Sequence, residues 1–413
     1  MPVTATVSIN GNALPTQLAG KLTQLTYKEG LKFTGDTVSI DIADPDGTFR
    51  RTFRLKAAIP VSVSISGGGG SRDCGTFHIH SLRYKGDKGG GSSIHIDCVS
   101  IPIQPQNSVR TERKSQGSEK TTLQDITAKI ASANGLSVQF QARNNPKIGR
   151  SDQHDQSDLV KLARHCDEEN YALKIRKGAI WVLDRDQMQA QGPVGTIVIP
   201  SPGVVGGVNG IGGLLSWEIN EIVEDCYNSA EVAYKDHKTG KVTREKVSDP
   251  TCADLGHVLR LKHNPHDAES TDVNAKDTSK QATQPSKPAL NNPLNLIGID
   301  NPFSAIQKSL FSMTPLQALS DTATQTLETN SDKCARAKHV AEKKLKKKNQ
   351  KRHGISFEIP YNGGIESGTV YTLVNGSPDV DGPWLVVNVT HTLSKGGNKT
   401  HVQLEKSQAW GGS

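Results

Sequence analysis

Apolar residues alternate with polar ones in eight short segments, four near each end of the chain, and this period of two predicts β-strands. The N-terminal segments are 39–44, 59–66, 75–84 and 92–99, and the C-terminal segments are 355–360, 368–374, 382–393 and 399–405. The third segments contain similar tripeptides, His80-Ser81-Leu82 in one set and His391-Thr392-Leu393 in the other. The chain therefore contains an internal repeat of a four-stranded sheet unit. Two similar units per chain indicate a ring or tube assembled from several copies.

A different pattern separates the two sets. Thr122 is placed to cap a helix whose apolar residues recur at helical spacing and which Gly135 can end, and Ser157 is placed to cap a second helix. Strand patterns follow at 137–140, 172–176 and 179–183. These elements predict a small mixed α/β domain.

The middle of the chain is less regular. Glycine and proline dominate residues 192–213, which favours a linker over a phosphate loop because no GxxxxGK[ST] motif frames the glycines. Strand patterns at 228–236 and 241–247 predict a hairpin, which we expect to open the second sheet unit. The stretch from Pro265 to Thr329 contains six prolines and few large apolar residues, so we expect a flexible, exposed insertion.

These patterns together predict a mainly β fold with an α/β insert. Two tube-like antiparallel β-barrel or sheet domains are related by the internal repeat, and a small α/β domain and a long insertion lie between them. The predicted parts are residues 1–105 for the first β domain, 106–190 for the α/β domain, 191–264 for the linker and first hairpin of the second β domain, 265–330 for the insertion, and 331–413 for a basic helix and the rest of the second β domain.

Positive charge is concentrated in one segment. The 413-residue chain has a formal net charge of +7, and nine Lys or Arg stand against one Glu between Arg336 and Arg352. Ala337, Ala341 and Leu345 recur there at helical spacing, which predicts an amphipathic helix with a basic face. No aromatic residue in the segment could stack on a base, so a specific nucleic-acid partner is disfavoured.

Two interpretations of this basic face stay open, a solvated face on a docked helix and a surface for an acidic partner. A short apolar stripe in the insertion could also dock on a partner as a helix. The candidate partner-binding residues are Lys343, Lys344, Lys346, Lys347, Lys348, Phe303, Ile306, Leu310 and Phe311.

No catalytic or cofactor motif stands out. The six cysteines are far apart with no CxxC pair, which disfavours a metal cluster or a redox dithiol. His78 and His80 alternate along one strand and could share a metal, but no carboxylate or cysteine stands at ligand spacing. No GxSxG elbow frames a serine. We therefore expect no catalytic, cofactor-binding or metal-binding residues, no cofactor and no enzyme activity.

The order of these elements resembles a known family. The likeness is carried by DQSDLVKLARHCDEENYALKIRKGAIWVL, residues 155–183, and by the terminal hairpin VTHTLSKGGNKTHVQLE, residues 389–405. The layout is similar to the late-control D family of contractile phage tail baseplate hub proteins, to the hub of large myophages, and to the N-terminal part of type VI secretion spike proteins.

The resemblance implies a structural protein of the virion. It implies a homotrimer that joins a six-fold tail tube to a three-fold spike and contacts baseplate wedge proteins, with a tape-measure contact left open. No β-helix repeats follow Glu405, so the spike is expected to be a separate protein. No segment reaches the roughly 18 apolar residues of a membrane span and no signal peptide is evident, so we expect assembly in the host cytoplasm.

Two other classes of function remain as alternatives, a tail-associated peptidoglycan hydrolase and a cell-wall-binding module that uses the α/β domain. The lack of a recognisable catalytic motif disfavours the hydrolase. Tyr171 and Trp181 are the candidates for glycan stacking in that domain, and both could equally be core residues.

Overall fold

A computed structural model describes the chain at residues 2–14, 20–31, 35–52, 58–67, 70–87, 91–102, 113–115, 121–148, 153–209, 213–235, 242–263, 270–272, 330–378 and 380–406. Two compact units are present: Met1–Cys226 together with Lys346–Ser413, and Tyr227–Leu345.

The N-terminal segment is almost entirely extended. Its alternating residues form strands because one face of each is buried and the other is polar. The elements are β1 (Thr4–Ile9), β2 (Asn12–Ala13), β3 (Leu22–Gly30), β4 (Thr37–Ala43), the short helix α1 (Thr48–Thr52), β5 (Pro60–Gly67), β6 (Gly70–Asp87) and β7 (Gly91–Val99).

The predicted α/β elements are confirmed. Thr122 forms a capping box with Asp125 at the start of the first helix, and Gly135 follows its end with a φ of 65°, a conformation that glycine adopts without strain. Ser157 caps the second helix by accepting from the Val160 backbone N–H. The elements are β8 (Arg113–Ser115), β9 (Thr121–Thr122), α2 (Leu123–Ala133), β10 (Ser137–Gln141), β11 (Lys147–Ile148), β12 (Gln153–Gln156), α3 (Asp158–Glu168), β13 (Tyr171–Arg176), β14 (Ala179–Asp184) and α4 (Arg185–Gln189). A three-stranded sheet of order β10-β14-β13 forms beside the two long helices.

The segment expected to be an irregular linker contains two short strands, so that prediction is wrong in part. These strands are β15 (Gly195–Val198) and β16 (Gly207–Val208), and β17 (Ser216–Glu221) follows them. The run Thr196-Ile197-Val198 is β-branched, and it pairs in parallel with a strand far along the chain. Glycine and proline at its flanks hid this short strand from the sequence pattern.

The predicted hairpin is present but belongs to a different sheet. Its strands are β18 (Ser229–Lys235) and β19 (Val242–Ser248), and they join β20 (Val258–His263) and β21 (Ser270–Asp272) in a four-stranded sheet of order β19-β18-β20-β21. The expectation that this hairpin opens the second sheet unit is therefore wrong, because β17 takes that place. A 3₁₀ turn, Pro250–Cys252, lies between β19 and β20.

The basic segment is helical, as predicted. Helix α5 spans Asn330–Asn349, and Ala337, Ala341 and Leu345 are fully buried. Apart from Ser270–Asp272, the predicted insertion from Pro265 to Thr329 lies outside the described residues, and so do Phe303, Ile306, Leu310 and Phe311.

The four C-terminal strands complete the fold, and all four were predicted. They are β22 (His353–Pro360), β23 (Val370–Val374), β24 (Gly382–Ser394) and β25 (Gly397–Lys406). They join the N-terminal strands in one 14-stranded sheet whose main path is β16-β15-β23-β24-β3-β4-β7-β6-β5-β1-β2, with β25, β22 and β17 branching from β24.

Each end of this sheet has its own apolar core. The N-terminal core includes Phe77 and Ile40, and the C-terminal core includes Trp384 and Phe357. The Trp384 indole N–H donates to the Val380 carbonyl at 2.8 Å, which satisfies the polar atom of this fully buried side chain.

Candidate functional site

The two repeats agree strand by strand. In each repeat the first predicted strand pairs with the fourth, the fourth with the third, and the third with the second, giving β4-β7-β6-β5 and β22-β25-β24-β23. All of these pairings are antiparallel. One more strand lies beside the first in each repeat, β3 beside β4 and β17 beside β22. We call β3 and β17 the opening strands, and β6 and β24 the long strands.

The long strands also share a bulge. β6 shifts register against β7 between Ile79 and Ser81, and β24 shifts against β25 between Val386 and Asn388. Because a bulge changes the pairing of every residue beyond it, its position is a sensitive marker of register. Matching the bulges makes Ser81 the equivalent of Asn388 and Tyr84 the equivalent of His391. The similar tripeptides His80-Ser81-Leu82 and His391-Thr392-Leu393 therefore do not occupy equivalent positions, because a shared tripeptide does not fix the register of a strand.

This equivalence extends to the neighbouring strands of both repeats, up to the register shift between Leu22 and Gln24 of β3. When two residues are equivalent, the residues that they pair with on the next strand are equivalent too. This holds from the long strand to the fourth strand, from there to the first strand, and from there to the opening strand. The matched residues are Asp97 and Gln403, Ser39 and Ser356, and Thr26 and Glu218.

The two repeats meet where β24 pairs with β3. β24 pairs with β23 over Gly382 to Leu385 and then, on the same edge, with β3 over Asn388 to Ser394. The long strand of the second repeat is therefore joined to the opening strand of the first. This pairing covers the strand edges where the two repeats of one chain meet. In an assembly of several copies, the edges where one copy meets the next have to be covered as well.

Aromatic and polar side chains fix the junction. The Tyr27 ring of β3 stacks on the His391 ring of β24, with centroids 6.0 Å apart and planes 10° from parallel. His391 Nδ1 lies 2.9 Å from Thr400 Oγ1. Burial, together with the nearby Arg72 guanidinium, lowers the pKa of His391 to about 4, so this imidazole is neutral at physiological pH.

A buried ion network lies at the same place, centred on Glu29 of β3. Its carboxylate accepts from Arg72 Nη2 at 2.5 Å and from the Ser367 backbone N–H at 2.7 Å. Lys174 Nζ and Arg176 Nη1 of β13 lie 3.6 and 3.7 Å from Glu29 Oε2. Burial alone would raise the pKa of Glu29, but Lys174, Arg72 and Arg176 outweigh it and lower that pKa to about 2.

Asp36 is the second carboxylate of this network, and its environment differs. Lys174 Nζ lies 3.4 Å from its Oδ1, and the Tyr27 hydroxyl donates to its Oδ2 at 2.9 Å. Burial and the nearby charge of Glu29 raise the pKa of Asp36 to about 6, against the lowering effect of Lys174. Since the same cations serve two carboxylates, Glu29 keeps its charge and Asp36 is the one that protonates first on acidification.

This network ties three parts of the chain together. Arg72 belongs to the first repeat and also donates to the Gly363 carbonyl at 3.0 Å, while the Lys174 ammonium donates to Ser367 Oγ at 3.0 Å. The first repeat, the α/β domain and the loop before β23 are thereby held in one arrangement. The sequence did not predict this cluster, although Lys174 and Arg176 alternate on one side of a strand, which is an unusual place for two charges unless they are paired.

Among the described strands of the two repeats and their opening strands, two edges are left without a partner. One is the edge of β6 opposite β7 from Ser81 to Asp87, beyond the pairing with β5. The other is the outer edge of β17, which pairs with β22 alone. Tyr84 and Trp217 on these edges are 44% and 45% exposed, which makes them two of the large apolar side chains that remain open to solvent.

No family model matches this chain, and no curated protein matches it. Solved structures do match its fold. The 43 kDa tail protein of prophage MuSo2 from Shewanella oneidensis has a TM-score of 0.62 at 9% identity, covering 98% of this chain and 99% of that one. A tail protein from Neisseria meningitidis has a TM-score of 0.61 at 12% identity, covering 99% and 98%. A prophage tail protein from Listeria monocytogenes has a TM-score of 0.53 at 9% identity, covering 98% and 94%.

The chain has the fold of prophage tail proteins. The resemblance inferred from residues 155–183 and 389–405 is confirmed at the level of the fold, and so is the mainly β architecture. Identities of 9 to 12% carry no residue from those proteins onto this one.

The structure places three of the predicted partner-binding lysines beside carboxylates of the same chain. Lys346 Nζ lies 2.7 Å from Asp186 Oδ1, and Lys348 donates to Asp225 Oδ2 at 2.9 Å. Lys347 pairs with Asp167. Lys343 and Lys344 are half-buried on the same helix. An acidic partner for these five lysines stays a prediction, and for the paired ones it would have to compete with these contacts.

His95 and Cys74 of the first repeat are, respectively, paired with carboxylates and buried. His95 is held between Asp41 and Asp97, with its Nδ1 and Nε2 at 2.6 and 2.9 Å from their carboxylates. Burial raises the pKa of the Cys74 thiol to about 12, which disfavours the nucleophilic thiolate. Within the described ranges, no group of three or more His, Cys, Asp or Glu is placed to hold a metal. None of the helices in the same ranges combines the length and the apolar character that a membrane crossing requires.

Proposed function

We propose that this protein is a structural hub of a contractile phage tail or a phage-tail-like particle. Three copies form a ring, so that the two repeats of each chain supply six similar units around one axis. Such a ring presents a pseudo-six-fold face to a six-fold tail tube and a three-fold face to a spike. The observation that carries this proposal is the shared strand order of the two repeats and the matching bulge in their long strands.

The geometry supports a scaffold more than a catalyst. Buried charged side chains form structural ion pairs, such as Glu29 with Arg72. The two repeats are joined by a continuous strand pairing. The fold shared with prophage tail proteins supports a place in a virion or a related particle. The spike, the tail tube, the wedge proteins and the tape-measure protein are the proposed partners, and the baseplate is the proposed location.

Native mass measurement of the purified protein tests the proposal. We expect three copies, alone or with the spike, and a ring with a central opening in electron micrographs. A stable monomer, dimer or hexamer would contradict the symmetry of the proposed hub. Cleavage of purified peptidoglycan by the protein would favour the hydrolase alternative, and retention on insoluble cell wall would favour the wall-binding one.

A further inference from the structure

We infer that the free edge of β6 in one copy pairs antiparallel with β17 of the next copy, with Lys85 opposite Glu218. This inference rests on the proposed ring and names the surface that closes it. The surface consists of Ser81 to Asp87 on one copy and Ser216 to Ile222 on the other, which we call the closing edges.

The internal junction shows which strand fits a long strand. Within the chain, the long strand β24 pairs with the opening strand β3 over seven residue pairs. The other long strand is β6 and the other opening strand is β17, and both carry an edge that no described strand occupies. If neighbouring copies are arranged as the two repeats are within one chain, β17 of one copy lies beside β6 of the next copy.

The matched bulges fix the register of this pairing. His391 pairs with Tyr27, Thr392 with Thr26, and Leu393 with Leu25 at the internal junction. Replacing each residue by its equivalent in the other repeat gives the pairs across the closing edges. These pairs are Tyr84 with Ile219, Lys85 with Glu218, and Gly86 with Trp217.

The side chains in this register are complementary. Lys85 and Glu218 are exposed and oppositely charged, and charges directly opposite each other on paired strands stabilise the pair. On the other face, Tyr84 meets the β-branched Ile219, and the Trp217 indole can cover Gly86, which has no side chain of its own. Pairing would therefore cover the two aromatic rings that the single chain leaves 44% and 45% exposed. A slip by one residue would place Lys85 opposite an apolar side chain.

The hydrogen-bonding pattern indicates how close the charged pair lies. The Leu31 backbone N–H donates to the Val387 carbonyl at 2.9 Å, which makes Gly30 and Asn388 a non-hydrogen-bonded pair. Pair types alternate along an antiparallel ladder, so Thr26 with Thr392 is of the same type, and Lys85 with Glu218 is too. Side chains approach more closely in such pairs than in hydrogen-bonded ones.

Disulfide trapping between two different chains tests the register. Lys85→Cys is made in one chain and Glu218→Cys in a second, differently tagged chain, and the two are co-expressed and oxidised. No chain carries both substitutions, so a disulfide between the tags has to cross between copies. Opposite positions place their Cβ atoms about 4.5–5.5 Å apart, against about 7–8 Å for a diagonal pair, and a disulfide needs about 3.5–4.5 Å.

The matched control pairs Lys85→Cys with Asn220→Cys, an exposed polar position two residues from Glu218 on the same face. We expect at least about tenfold more cross-linked product for Glu218→Cys than for Asn220→Cys. Each single variant alone reports the background of the native thiols, of which the five described ones are buried. A stronger cross-link in the control pair, or none in either pair within a trimer, would overturn the inference and leave the proposed function standing. A monomer by native mass, with no cross-link, would instead reject the proposed function.

Charge reversal supplies a second measurement that needs no oxidation. Lys85→Glu alone and Glu218→Lys alone should each weaken trimer formation by roughly tenfold per interface, because like charges then face each other. The double variant restores the attraction and should return the dissociation curve to within about threefold of the wild type. A double variant as weak as the two single variants would show that these side chains do not meet.

Discussion

Replacing Glu29 by Gln should destabilise the protein far more than replacing its exposed counterpart Glu366. Glu29 is the buried centre of the ion network, and Arg72, Lys174 and Arg176 all lie within 4 Å of its carboxylate. Gln keeps the shape and can still accept from the Ser367 backbone N–H. It removes only the negative charge that the three cations face.

The size of the effect follows from the distances. Each cation near 4 Å attracts the carboxylate by about 4 kcal/mol at an effective dielectric constant of about 20, which gives about 12 kcal/mol of gross attraction for three. Desolvation of these buried ions offsets most of that attraction. Removing one partner of such a cluster leaves buried charge uncompensated, and we expect a loss of about 3–5 kcal/mol in the free energy of unfolding.

Chemical denaturation of both variants at one protein concentration measures this difference, because assembly would otherwise add to the apparent stability. The control is Glu366→Gln. Glu366 also contacts Arg72, at 3.1 Å, but its side chain is 50% exposed, so its loss should cost less than about 1 kcal/mol. Equal losses for the two variants at pH 7 would refute the view that burial of the charge decides the cost.

The pH dependence gives an independent check on the same variant. The pKa of Glu29 is about 2 in the folded state, below the value of about 4.3 expected in the unfolded chain. A lowered pKa stabilises the folded state above the unfolded pKa, and that stabilisation is lost as the pH falls toward 2. The stability gap between wild type and Glu29→Gln should therefore be full at pH 5 to 7 and narrow below about pH 4. A gap that stays constant down to pH 3 would show that the charge is not its source.

Three further predictions concern other sites. The pKa of Asp36 is raised to about 6, so the stabilisation of the folded state by protonated Asp36 is full below about pH 4 and is lost as the pH rises through 6. In Asp36→Asn, the free energy of unfolding should therefore lose this part of its dependence on pH between 4 and 7. Lys346→Gln should cost more than Lys347→Gln in denaturant titrations, by about 1 kcal/mol, because the Lys346 side chain is 10% exposed and that of Lys347 is 35% exposed; equal costs would count against burial as the reason. Trp384→Ala should cost about 3–5 kcal/mol, since the ring is fully buried, and a loss under 1 kcal/mol would mean that this core repacks freely.

Local patterns in the sequence predicted most of the elements. The eight repeat strands, the two capped helices of the α/β domain and the basic helix are all present. In each case the signal lies within a few residues of the element, as with the alternation that buries one strand face or the Thr122 side chain that accepts from Asp125. The apolar stripe of α5 was likewise readable from Ala337, Ala341 and Leu345 alone.

The pattern failed where the partner of an element is distant. The hairpin of β18 and β19 has ordinary strand residues, but these residues do not determine which sheet the hairpin joins. The short strand Gly195–Val198 exists because β23, about 175 residues later, offers it an edge. Backbone donors and acceptors are the same at every strand edge, so pairing between distant strands is decided by the packing of the whole sheet.

The internal repeat could be recognised from local sequence patterns, because alternation and turn residues act locally and occur twice. The joining of the two copies through the pairing of β24 with β3 depends on the complete fold. The shared burial of the Glu29 and Arg72 charges depends on it as well. Only the tertiary structure also shows that β6 and β17 carry the corresponding edges without a described partner. Residues that meet across such a junction are hundreds of positions apart, and their free energy of interaction exists only once the chain has folded.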